Sequence, residues 1–225
     1  MKLSAVANTA AQYLGVLDSG ESLSAQQWTD ALGYTNSMLD NWSVDELLLL
    51  SVVRYIGTLA GGTQSYPIGT GQTFNTPRPV SIIGGSLILA AGPGNPVKFV
   101  NAHEWTALPD RQAQSYAVRF GFYDRQETVG HVYFSPIPLG SATVELLTLP
   151  PLPQFVDTNT TDLTFPGPGY QDLYTYGCAL RMASQMSVPV PQSVMDGWNQ
   201  AAQRLRMQNA KLWGELPPEM AAGAK

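Results

Sequence analysis

The chain has 225 residues, enough for one domain or two small ones with a sizeable hydrophobic core. Charged residues make up 13% of it, about half the share usual in soluble domains. A surface so poor in charge favours a protein that covers part of its exterior with copies of itself. The formal net charge is −5 and no basic run occurs, which argues against a protein that grips nucleic acid through phosphates.

The charge is unevenly distributed along the chain. Residues 1–53 contain Lys2 as their single cation, whereas the remainder of the chain is balanced. The first 53 residues contain six carboxylates: Asp18, Glu21, Asp30, Asp40, Asp45 and Glu46. The N-terminal part is therefore the acidic part of the molecule.

Cysteine usage and hydropathy bear on the compartment. Cys178, the single cysteine, lies within apolar helical sequence, which indicates a buried thiol and excludes an intramolecular disulfide. Polar residues interrupt the sequence after Lys2, so no signal peptide is predicted. No apolar run approaches the roughly 18 residues of a membrane span. We therefore expect a soluble protein made in, and remaining in, a reducing cytoplasm.

Two helices are predicted at the N-terminus, the first over residues 4–14 and the second opening at Ser24. Gln27 is placed to complete a capping box with Ser24. The apolar residues of the second helix recur with a 3.6-residue period, which predicts one buried face. This face comprises Trp28, Ala31, Leu32, Thr35, Met38, Leu39 and Trp42.

From residue 47 the pattern changes to short runs rich in Leu, Val, Ile and Tyr, broken by Gly and Pro clusters, which predicts antiparallel strands. A hairpin around the turn at 60–62 begins the region. A strand at 142–149 is expected to pair across the turn at 136–140. Further predicted elements are strands at 80–89, 117–123 and 131–135, and a short helical piece at 104–108.

The helical pattern returns from Tyr170 to about Met186, and a last helix of about 20 residues follows the linker at 188–191. Its apolar stripe comprises Val194, Trp198, Ala201, Leu205 and Leu212. The fold class predicted is α+β, with a small antiparallel β domain interposed in a helical body and a long C-terminal helix. The helical body comprises residues 1–46 and 165–225, and the β-rich inserted domain comprises 47–164.

Catalytic signatures are sparse. His103, His131 and Cys178 are too few and too dispersed to predict a metal site or a nucleophile dyad. The glycines at 69 and 71 lack the lysine of a phosphate loop, so a turn is predicted there. Asp45 and Glu46 could supply a carboxylate for cleavage of cell-wall polymer, a possibility kept as an alternative. We expect no enzyme, cofactor or metal.

The order of these signals resembles the head-to-tail adaptor proteins of short-tailed bacteriophages, also called tail accessory or packaged-DNA-stabilisation proteins. The resemblance rests on NSMLDNW at 36–42, SYPIGTGQTF at 65–74, and HVYFSPIPLGSATVELLTLPPLPQF at 131–155. It extends to a Pro-Gly-Tyr helix entry at 168–170 and the long last helix. Its most specific residues are Tyr66, Ile68, Gly69, Arg78 and Pro79.

The resemblance implies a twelve-membered ring of copies in the neck of a virion, between head and tail. The ring would dock under the portal protein, continue the DNA channel, help to retain packaged DNA and receive a downstream tail or nozzle protein. Double-stranded DNA would pass without sequence-specific binding, and no membrane partner is expected. Two other interpretations remain open: a downstream tail-tube or gatekeeper component, and a cell-wall hydrolase.

The portal contact is expected on the C-terminal helix and tail, residues 193–225. Pro189 and Pro191 restrict the backbone before this helix, so it leaves the body in a fixed direction. Its apolar and cationic side chains are the kinds that dominate interfaces. The predicted portal-binding residues are Trp198, Arg204, Leu205, Arg206, Lys211, Leu212 and Trp213. Packing of Val194, Trp198 and Leu205 on the helical body is the alternative.

Overall fold

A computed structural model of the chain describes residues 2–44, 52–88, 94–126, 128–157 and 169–213. The chain divides into two compact units. Unit 1 comprises residues 1–50 and 152–225, and unit 2 comprises residues 51–151. The sequence-based boundaries at 47 and 164 fall outside the described residues.

The described residues form five helices and ten strands. In chain order these are α1 (Leu3–Tyr13), α2 (Ala25–Val44), β1 (Val53–Leu59), β2 (Ser65–Gly69), β3 (Phe74–Asn75), β4 (Ser81–Ile88), β5 (Asn95–Val100), α3 (Ala102–Ala107), β6 (Gln114–Ser115), β7 (Phe120–Asp124), β8 (Gly130–Ser135), β9 (Ile137–Pro138), β10 (Ala142–Leu149), α4 (Tyr170–Met186) and α5 (Gln192–Trp213). No helix within the described ranges is both long and apolar enough to cross a membrane.

The start of α2 shows the predicted capping box. The backbone N–H of Gln27 donates to Ser24 Oγ at 3.4 Å, and the backbone N–H of Ser24 donates to Gln27 Oε1 at 2.8 Å. These bonds satisfy N–H groups that the first turn of a helix leaves without partners. The prediction that the second helix opens at Ser24 is therefore confirmed.

Unit 1 is organised around α4, which contacts α1, α2 and α5. Trp42 of α2 packs edge-on against Tyr174 of α4, with ring centroids 5.3 Å apart. The chain returning from unit 2 is tied to α2 by Asn36, whose side chain donates to Phe155 O at 2.8 Å and accepts from Phe155 N at 2.9 Å. The expected core role of Trp42 is thus borne out by its contacts.

Unit 2 contains an eight-stranded sheet in the order β1-β10-β4-β5-β7-β8-β2-β3. Its two edge strands meet through Tyr55, whose hydroxyl accepts from Asn75 N at 3.1 Å and whose ring lies 5.6 Å from that of Phe74. The sheet therefore nearly closes into a barrel. Its interior consists of apolar side chains: Leu59, Tyr66, Ile68, Phe74, Ile82, Leu87, Val97, Val118, Val132, Phe134, Val144 and Leu146.

The predicted fold class, a helical α+β body carrying a small antiparallel β domain, is wrong. The dominant element is the eight-stranded mixed sheet, which makes the fold strand-rich. The β5–β7 and β2–β3 pairs are parallel. The parallel β5–β7 pair needs a crossover connection, and α3 lies in it. The short helical piece predicted at 104–108 corresponds to α3, the helix of this crossover.

Two predicted strand pairings are also wrong. Residues 60–63 do form a turn, in which Thr63 N donates to Ala60 O at 3.3 Å. The flanking strands nevertheless diverge, because β1 pairs with β10 and β2 pairs with β8. Likewise β10 pairs with β1 and β4, whereas β8 pairs with β7 and β2. Turn residues predict a change of direction, but they do not decide which strands pair.

Candidate docking site

The predicted portal-binding residues divide into an inward and an outward set on α5. Trp198 is half-buried and lies 5.2 Å from Trp42, measured between ring centroids. Leu205 is only 2% exposed. Arg204 and Arg206 are exposed. The side chains of Lys211, Leu212 and Trp213 lie outside the described residues.

The inward set follows from the helical period of α5. Val194, Ala201 and Leu205 recur seven and then four residues apart and are all buried. The opposite side carries Met195 and Met207, which are 42% and 43% exposed. Three of the five residues of the predicted apolar stripe are therefore buried in unit 1, and the exposed side combines methionines with arginines.

A groove of about 250 Å³ adjoins Arg204. Its lining brings Arg204 and Gln208 of α5 together with Asp172 in the first turn of α4. Gly169 precedes α4 with φ +93°, a backbone conformation that favours glycine. We call this the arginine groove, lined by Gly169, Asp172, Ala201, Arg204, Leu205 and Gln208.

A second groove of about 190 Å³ lies between α2 and the C-terminal end of α4. Its floor is apolar, since Ala31 and Met182 are 1% and 2% exposed. Its polar lining includes Asp30, whose Oδ1 accepts from Gln26 Nε2 at 3.0 Å. We call this the aspartate groove, lined by Gln27, Asp30, Ala31, Tyr34, Met182, Gln185 and Met186.

The residues most specific to the resemblance take structural positions in unit 2. Tyr66 is 2% exposed, and its hydroxyl accepts from Ala60 N at 2.9 Å and lies 2.9 Å from Ala60 O and 3.0 Å from Thr63 O. Burial raises the pKa of Tyr66, which keeps the hydroxyl protonated and able to donate. Ile68 is buried and Gly69 ends β2. Tyr66 thus holds the turn at 60–63.

The segment before β4 is held by side chains from the neighbouring loop. Arg78 Nη1 donates to Gln126 O at 2.7 Å, and Tyr123 Oη donates to Pro79 O at 2.7 Å. Burial raises the pKa of Tyr123, so this hydroxyl also stays a donor. Arg78 and Pro79 therefore fix how the chain enters the sheet.

The contact between Ser65 and His131 was not predicted from the sequence. Ser65 Oγ lies 3.3 Å from His131 Nδ1, across the paired strands β2 and β8. The two residues are 66 positions apart in the chain, so no local pattern joins them. Tyr133 lies beside His131, with ring centroids 6.3 Å apart. We interpret the contact as a cross-strand hydrogen bond.

Two other candidates for chemistry, His103 and Cys178, lie in the described residues. His103 is exposed on α3. Cys178 is buried, and burial raises the pKa of its thiol to about 11. Asp45 and Glu46 lie outside the described residues. Within the described ranges, no group of three or more His, Cys, Asp or Glu side chains is placed to hold a metal ion.

No protein-family model matches the chain, and no curated protein matches it significantly.

Proposed function

We propose that the chain is a structural adaptor of a viral neck, docking under the portal protein through the exposed side of α5. In that position it continues the DNA channel, helps to retain packaged DNA and receives the next tail component. The observation that carries the proposal is the 22-residue helix α5, which packs one side on α4 and leaves Arg204, Arg206 and Met207 exposed. The order of motifs along the chain also supports it.

The partners follow from the same proposal. Copies of the chain form a ring, twelve in number by the resemblance, and double-stranded DNA passes through it. The net charge of −5 supports passage rather than tight binding, because a net acidic protein repels phosphates. The complex belongs to the virion, between head and tail.

The docking role of α5 can be tested by charge reversal and truncation. We expect Arg206→Glu to weaken portal binding about 30-fold, since interface arginines are commonly worth about 2 kcal/mol. Truncation after Gln208 should abolish binding. Titration of labelled portal with each variant and with the unchanged chain gives the dissociation constants.

The matched control is Arg111→Glu, the same charge change at an exposed residue of unit 2. This variant should bind like the parent. Unchanged affinity for both α5 variants, with helix content retained by circular dichroism, would place the portal contact elsewhere.

A structural role also predicts an absence of turnover. Purified protein incubated with cell-wall polymer should release no sugar over time. The matched variants are Asp45→Asn, Glu46→Gln and Ser65→Ala, which remove the carboxylates and the hydroxyl beside His131. Sustained release that any of them abolishes would show that the chain is a hydrolase.

A second candidate is a downstream tail-tube component. The eight-stranded, nearly closed sheet favours it, because a tail-tube protein is expected to be dominated by strands. The two candidates differ in their partner. The adaptor binds the portal directly, whereas the tail-tube component binds only a portal that already carries an adaptor ring.

A further inference from the structure

The two grooves of unit 1 lie at opposite ends of α4. The arginine groove adjoins Asp172 in the first turn of the helix, and the aspartate groove adjoins Gln185 near its last turn. At 1.5 Å per residue, these positions are about 20 Å apart along the helix axis. No arginine side chain spans that distance, so Arg204 cannot reach Asp30 of its own copy.

The aspartate groove has the size of a side-chain pocket. Its volume of about 190 Å³ is below the roughly 300–1,000 Å³ of sites that bind small molecules and cofactors. Its apolar floor, made by Ala31 and Met182, suits an aliphatic stem. The Asp30 carboxylate, beside the amide of Gln185, suits a cationic head. An arginine combines both properties, because its stem packs on apolar surface while its guanidinium pairs with a carboxylate.

We propose that the aspartate groove of one copy receives Arg204 of a second copy, and that this contact joins neighbours in the ring. Charge complementarity supports a second copy as the occupant. Residues 2–44 carry Lys2 against four carboxylates, Asp18, Glu21, Asp30 and Asp40. The described part of α5 with assigned side chains carries Arg204 and Arg206 against Asp196.

The contact is head-to-tail, because the donor and the acceptor lie on different surfaces of each copy. A ring requires that each copy fill the groove of one neighbour and receive Arg204 from another, so that the contact repeats around the ring. A reciprocal two-fold pair, in which two copies fill each other's grooves, would stop at a dimer. Exposed Met207, three positions from Arg204, adds apolar area on the same helix.

Arg204 and Arg206 can serve different partners. Residues two positions apart on an α-helix point about 200° apart around its axis. With Arg204 directed to a neighbouring copy, Arg206 faces away from it. This inference rests on the proposed function only in that the chain assembles with copies of itself.

Cross-linking tests the contact directly in the full-length chain. The variant carries Gln185→Cys at the aspartate groove and Gln208→Cys one helical turn beyond Arg204, so that Asp30 and Arg204 are both kept. It is treated with a short bis-maleimide, free and in the presence of portal. Buried Cys178 has a raised thiol pKa and should not react. We expect a ladder of dimers, trimers and larger species, because each copy can be linked to one neighbour through its aspartate groove and to another through α5.

The matched control combines Asp40→Cys with Gln208→Cys, since Asp40 is exposed on α2 and does not line the aspartate groove. It should yield at least tenfold less cross-linked product. No ladder in either sample, or equal ladders from both variants, would overturn the contact.

Charge exchange supplies a readout without cysteine chemistry. Asp30→Arg should weaken self-association about tenfold by sedimentation velocity, and adding Arg204→Asp should restore it. Failure of the double variant to recover would also overturn the pairing. Portal binding without a ladder rejects this contact alone, whereas a ladder without portal binding rejects the proposed function alone.

Discussion

Replacing Phe134 with alanine should destabilise unit 2 by about 3–5 kcal/mol, the usual cost of removing a buried phenylalanine. Phe134 is 0% exposed and occupies the interior of the nearly closed sheet. Its ring lies near three other aromatic rings: Tyr66 at 5.7 Å, Phe74 at 6.4 Å and Phe99 at 6.5 Å. The truncation leaves a cavity that these rings cannot fill without leaving their own contacts. Urea unfolding followed by near-ultraviolet circular dichroism measures the change.

Tyr116→Ala is the control for this change, because Tyr116 is 78% exposed. Truncation of an exposed aromatic should alter the free energy of unfolding by no more than about 0.5 kcal/mol. Equal effects of the two substitutions would mean that the ring cluster around Phe134 is not the core of unit 2.

Replacing Gly177 with alanine should destabilise unit 1 by about 1–3 kcal/mol through overpacking. A Cβ at this position of α4 would lie 2.9 Å from atoms of both Trp42 and Trp198. It would also lie 2.5 Å from Met38 Sδ, and the two indoles leave that flexible side chain little room to move. Thermal unfolding of the full chain, followed by helix content, reports the loss.

Gly33→Ala provides a control of opposite sign. Gly33 lies inside α2, and a Cβ there meets no atom within 4 Å. Alanine in an open helical position should stabilise the helix by about 0.5–1 kcal/mol. If both substitutions stabilise unit 1, then Met38, Trp42 and Trp198 do not pack as closely on Gly177 as described.

The helices were predictable because their signals are local. The 3.6-residue period and the Ser24–Gln27 box predict α2, and the structure places it at Ala25–Val44. Several strands were also predicted near their observed positions, among them β8 and β10. These elements depend on alternation and turns within a few residues, which a single sequence contains.

The sheet was not predictable, because pairing is decided between distant residues. The turn at 60–63 favoured a hairpin, yet Tyr55 of β1 pairs with Leu146 of β10. The mixed sheet, and with it the strand-rich fold class, depends on such partners. Leu205 of α5 is likewise buried, in a helix that packs on α4. The apolar stripe in the sequence did not show which helix it would face.

In the candidate site, too, local features were predictable and contacts between distant residues were not. The cationic residues of α5 could be named from the sequence, and the structure places Arg204 and Arg206 on its exposed surface. The aspartate groove could not be foreseen, because it joins Asp30 of α2 to Gln185 of α4 across 155 residues. The Ser65–His131 contact could not be foreseen either, because its two residues are 66 positions apart in the chain.

The adaptor function can be tested by mixing the purified full-length chain with its portal protein and measuring the mass of the product by light scattering. We expect one discrete complex, heavier than the portal by the mass of a fixed integer number of chains, twelve by the resemblance. Binding of the chains to the portal should be cooperative, so that few portals carry an incomplete ring. A portal whose mass stays unchanged at saturating chain would contradict the adaptor function.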